Sequence, residues 1–137
     1  MRRPRAYVLA TILATAVISS CTAAQAPRVQ EVDGIVMMSA YLNFGMDAFW
    51  EGTIELTETG CLGLLTDAPG AEVIPTLWPG GSSIEDDGES FEIDGAIYRL
   101  GDKVRGEGGE DPALPIDPVP ACEADSYLLF NGVTPGS

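Results

Sequence analysis

The chain has 137 residues, enough for one modest domain, with 21 acidic residues against seven basic ones, three cysteines and no histidine. A net charge of −14 at pH 7 excludes nucleic acid as a partner, because binding to phosphates depends on cationic groups that displace counterions. Without histidine, the Ser-His-Asp and Cys-His nucleophile pairs and imidazole zinc ligands are excluded as well.

In chain order, Arg2, Arg3 and Arg5 precede an uncharged apolar run from Ala6 to Ile18 and then small residues, the layout of an export signal. The run is shorter than the ~20 residues a membrane-crossing helix needs. Pro4 follows the Arg2-Arg3 pair directly, which favours general secretion over twin-arginine export. The segment Ile18-Ser19-Ser20-Cys21 resembles the lipobox of bacterial lipoproteins. That resemblance implies removal of residues 1–20, lipidation of Cys21 with palmitate-type chains, and anchorage on the extracytoplasmic face of the cell membrane. More than one acyl chain makes such an anchor durable. The alternative is a signal-peptidase site near Ala23-Ala24-Gln25, which would leave a secreted protein. Once the leader is removed, Arg28, Arg99, Lys103 and Arg105 stand against all 21 acids. Such a surface repels anionic lipid, so the membrane partner is met through the anchor alone.

Residues 21–36, of which Thr22 to Asp33 are small and polar with Pro27, read as a flexible tether, residues 37–132 as a small β-domain and residues 133–137 as a tail. At the start of the domain, Met38, Leu42, Met46 and Trp50 recur every four residues, which predicts a short helix or pair of turns interrupted at Gly45. From Gly52 to Glu58, Ile54 and Leu56 alternate with polar residues as a half-buried strand. Thr59-Gly60 turns the chain and Cys61 to Leu65 returns. Glu72 to Trp78 is a third strand whose Pro75 suits an edge or a bulge. Trp78-Pro79-Gly80-Gly81 reads as a type II turn, and Ser82 to Gly88 as an acidic loop. Phe91 and Ile93 alternate ahead of Asp94-Gly95, a strong type I′ hairpin signal, and Ala96 to Leu100 is the return arm. Gly101-Asp102 turns into Lys103-Val104-Arg105, and Gly106 to Gly109 should end the pairing. Glu110 to Pro120, with Pro112, Pro115, Pro118 and Pro120, is an irregular strap leading to Cys122. Ser126 to Phe130 is the last strand.

All 16 glycines and every proline except Pro4 follow the leader, so few windows could hold a helix of average length, about 11 residues. Short strands at close spacing predict an all-β fold, a small barrel of the OB or SH3-like kind, with an immunoglobulin-like β-sandwich as the alternative. With Cys21 assigned to lipid, Cys61 and Cys122 form the remaining pair, expected as a disulfide in an oxidising compartment. The order Gly52, Gly60-Cys61-Leu62, Trp78-Pro79-Gly80, Gly101-Asp102-Lys103-Val104, Gly108-Gly109 and Cys122 resembles a small β-domain of actinobacterial secreted proteins and lipoproteins. The resemblance implies no activity and no catalytic residue.

No cofactor is implied by any motif. A Ser-Lys dyad would need Lys103, which reads as solvent-facing. The densest acidic clusters are Asp86-Asp87-Gly88-Glu89 and Glu107 to Asp111. Hard oxygen ligands select calcium, so Asp86, Asp87 and Glu89 are the residues a weak calcium site would use, although the spacing is not that of an EF-hand. Trp50, Trp78, Tyr98 and Tyr127 are expected to fill the core. The expected function is a tethered, non-enzymatic module that binds an envelope protein or glycan or organises the envelope. The alternative is a small carboxylate-dependent hydrolase of envelope polysaccharide.

Overall fold

The computed structural model describes residues 26–43 and 47–137; the leader, Cys21 and residues 44–46 lie outside the described residues. The described chain contains ten strands, β1 (Arg28–Val32), β2 (Ile35–Ala40), β3 (Ala48–Leu56), β4 (Leu62–Thr66), β5 (Ile74–Pro79), β6 (Ser83–Ile84), β7 (Ser90–Ile93), β8 (Ala96–Arg99), β9 (Lys103–Asp111) and β10 (Tyr127–Pro135), with one 3-10 turn at Pro120–Cys122.

Five strands close into a barrel in the order β3, β4, β5, β10, β9 and back to β3. Every pairing round the ring is antiparallel except β5 with β10. This is the five-stranded Greek-key closure of OB-type barrels, not a meander. Between β5 and β9 the chain inserts the three-stranded sheet β6–β7–β8. The buried face of that sheet, Ile84, Phe91, Ile93 and Tyr98, shares one core with the barrel residues Ile54, Leu64, Trp78, Val104, Leu128 and Phe130. At its tip, positive φ at both Asp94 and Gly95 confirms the type I′ turn.

The barrel's glycines are places of close approach. Gly106 of β9 leaves room for the Phe130 ring, and a Cβ on Gly108 would collide with the Leu129 carbonyl oxygen. For this reason β9 continues through Gly106 to Asp111 instead of ending there. Pro75 does not mark an edge either, because β5 pairs with β10 on one side and with both β4 and β2 on the other. Pro75 is the last residue of β5 in register with β4 before β2 takes over at Leu77, so the missing donor falls at the changeover. The turn after β5 closes from the Ser82 N–H to the Pro79 carbonyl, with positive φ at Gly81, one residue later than expected.

Two expectations fail at the start of the domain. The four-residue recurrence does not make a helix: Met38 lies in β2 and Trp50 in β3, while Met46 is outside the described residues. β2 is covered on both faces, Met37 entering the barrel core and Met38 a second cluster, so its apolar residues run consecutively and hide the period of two. The tether expected over residues 21–36 is also too long, since Arg28–Val32 pairs in register with β2 across Asp33-Gly34. Both turn residues have positive φ, the same type I′ geometry as at Asp94-Gly95. The Gln30 side chain extends this hairpin toward β6, donating to the Ile84 carbonyl at 3.2 Å and accepting the Ile84 N–H at 2.8 Å.

Candidate functional site

The two faces of the barrel wall differ in what covers them. On one, Leu77 of β5 and Leu129 and Tyr127 of β10 point outward, as do Val36, Met38 and Ala40 of β2. The strap between β9 and β10 lies over them through Leu114, Ile116, Val119, Ala121 and Ala124, and Leu77 is left with no exposed surface. Cys61 and Cys122 form the expected disulfide, with 5.2 Å between Cα atoms, and lock the strap to the start of β4. Beside it the Thr59 hydroxyl donates to the Ala121 carbonyl at 2.5 Å, and the Tyr127 hydroxyl accepts the Ala124 N–H at 3.0 Å. OB-type barrels commonly take ligands across their second and third strands and the neighbouring loops. In this chain the strap lies over the third of these strands, β5, together with β2 and β10.

The opposite wall, formed by β3, β9 and β10, is open. Strand alternation turns Phe49, Arg105, Glu107 and Thr134 outward, and register sets Phe49 across from Glu107, Glu107 across from Gly132, and Arg105 across from Glu51 and Thr134. With Asp94 from the β7–β8 turn, these residues line a groove of about 260 Å³ that also includes Val133. Phe49 is 59% exposed, and the Arg105 guanidinium lies 4.0 Å from its ring centroid, a cation–π contact. Arg105 takes this position although Glu51 is its cross-strand neighbour, and among the described residues it forms no ion pair. The register shift between Phe130 and Gly132 bends β10 at the groove. Asp94 is held there by the Val133 N–H, which donates to its Oδ2 at 3.0 Å.

The acidic loop serves itself. Asp87 accepts the N–H groups of Glu89 and Ser90, each at 2.9 Å, and the Ser90 hydroxyl at 2.8 Å. The Glu89 amide first, then the Ser90 hydroxyl and amide, hold its carboxyl below the ordinary value. The structure does not bring Asp86, Asp87 and Glu89 together as a calcium site, and among the described residues no group of three or more Asp, Glu, Cys or His is placed to hold a metal ion.

Of the aromatic residues assigned to the core, Trp78, Tyr98 and Tyr127 are buried and Trp50 is partly so. Two inward donors, Trp50 Nε1 and the Tyr98 hydroxyl, have no hydrogen-bond partner among the described residues. Burial, then the carboxylates of Asp94 and Asp102, push the Tyr98 phenol above its ordinary value. Lys103 is exposed, as expected. Phe49 went unnoticed in the sequence because it precedes the apparent start of its strand. Extending the alternation of Gly52, Ile54 and Leu56 backward puts Trp50 inside and Phe49 outside, and that was the available signal. No family model, curated protein or solved structure matches the chain.

Proposed function

We propose that the mature chain is a lipoprotein tethered through Cys21 to the extracytoplasmic face of the membrane, and that its β-barrel acts as a non-enzymatic binding or envelope-structural module. The observation that carries this reading is an open groove across β3, β9 and β10 on a barrel braced by the Cys61–Cys122 disulfide. Acid–base catalysis by carboxylates alone requires burial that drives their pKa values apart, and among the described residues no Asp or Glu is buried. Binding requires less: a fixed backbone, one aromatic surface and a few polar groups. The disulfide suits an oxidising compartment, in agreement with an exported chain.

A specific observation keeps the hydrolase alternative in view, since Asp94 and Glu107 line the same groove. Fractionation of cells carrying Cys21→Ala, together with incubation of the purified chain with envelope polysaccharide, tests both readings. The tethered-module reading expects the variant in the medium or as unprocessed precursor, and no turnover. Unchanged membrane partition and mature mass would remove the anchor, and turnover abolished by Glu107→Gln with the fold intact would make the protein an enzyme.

A further inference from the structure

We infer that the groove bounded by Phe49, Arg105, Glu107, Asp94 and Thr134 is a subsite for a neutral sugar ring, an assignment that rests on the binding-module reading and gives it a ligand class. Size is the first argument. At about 260 Å³ the groove is smaller than the ~300–1,000 Å³ of sites for drug-sized ligands, which leaves room for one ring. Its apolar content is a single exposed phenyl face and Val133, too little for the hydrophobic centre of a protein–protein interface.

Charge narrows the class. An anionic ligand would meet Arg105 but also Glu107 and Asp94 in the lining and Glu51 beside Arg105 in register, within a chain of net charge −14. A cationic ligand would be repelled by the Arg105 guanidinium, which lies 4.0 Å from the Phe49 ring centroid. A polyhydroxyl ring needs donors and acceptors at once together with a flat apolar surface. Arg105 supplies donors that no carboxylate engages among the described residues, Glu107 and Asp94 supply acceptors, Thr134 supplies either, and the part of the Phe49 ring that Arg105 leaves exposed supplies the surface. Gly132 keeps the floor between Glu107 and Asp94 free of a side chain.

Saturation-transfer NMR on the full processed chain, in a detergent without a sugar headgroup, tests this with glucose and N-acetylglucosamine as neutral probes, glucosamine as the cationic probe and glucuronate as the anionic one. The expected result is transfer to a neutral probe, weakened at least tenfold in apparent affinity by Phe49→Ala and by Arg105→Met, and unchanged by Ile97→Ala on the other sheet. Circular dichroism establishes that each variant is folded, and Thr134→Ala with Glu107→Gln replaces Phe49→Ala should that variant fail to fold. Absence of transfer to both neutral probes, transfer confined to a charged probe, or binding indifferent to the groove substitutions would overturn the inference. These outcomes are separate from the fate of the anchor, because a Cys21→Ala chain that stays in the membrane fraction would sink the tether while sugar transfer could persist.

Discussion

Asp87 shows how a single exposed carboxylate organises a loop. Its two oxygens take three donors from Glu89 and Ser90 and set the entry to β7. Because its folded pKa lies below the ordinary value of 3.8, its stabilising effect is fully present above that value and is lost as pH falls through the folded pKa. Asp87→Ala should therefore lower the melting temperature at pH 7, with the gap to the parent closing in acid. A gap that stays constant down to pH 2 would mean that the charge is irrelevant there. Gly108 makes the opposite point, that a missing side chain can be as specific as one present. Since the obstructing atom is the backbone oxygen of Leu129, the neighbour cannot yield by a rotamer change, and Gly108→Ala should cost roughly 2 to 3 kcal/mol in chemical denaturation. A neutral result would show that β9 and β10 can separate without penalty.

At the scale of elements, the strap is irregular chain held in place by side-chain burial and one covalent bond. The bond closes a loop of 61 residues in sequence separation, for which the chain-entropy model gives about 4 kcal/mol of stabilisation. Reduction, or replacement of both cysteines by alanine, should lower the denaturation free energy by about that amount. Proteolysis should then begin in the strap near Leu114 and Val119, because only apolar contact with Leu77 and Leu129 and the hydrogen bonds at Ala121 and Ala124 would still hold it. First cleavage in the β7–β8 hairpin would instead point to the inserted sheet as the weaker element. The β1–β2 hairpin relies on a different device, a glutamine side chain that takes both backbone groups of Ile84 where a further strand would otherwise pair.

Taken as a whole, the molecule carries 21 acidic residues against seven basic ones, and among the described residues none of the acids is buried. Self-repulsion of such a surface opposes compaction and is screened by salt over a Debye length of about 10 Å at 0.1 M. The melting temperature should rise as sodium chloride is raised from low to physiological concentration and then level off. A flat or falling dependence would mean that local pairs, and not the overall field, set the electrostatic contribution. The same field favours neutral over anionic ligands at the open wall, in line with the sugar subsite.

Much of this architecture was legible in the sequence because it depends on local chemistry. Asp94-Gly95 demanded its turn, Ile54 and Leu56 their alternation, the glycines and prolines an all-β chain, and the two cysteines a bridge once Cys21 was set aside. The same dipeptide at Asp33-Gly34 is equally legible, but the small, polar residues that precede it carry no alternation to mark a first strand. Other features were decided by tertiary structure alone. Consecutive burial of Met37 and Met38 follows from two separate cores meeting on β2, and no period within one strand encodes that. The passage of β9 through Gly106 and Gly108 depends on where Phe130 and Leu129 arrive, more than twenty residues later. The groove is likewise a product of register: Phe49, Asp94, Arg105, Glu107 and Thr134 come from four elements and share a surface only because the barrel closes with β9 between β3 and β10.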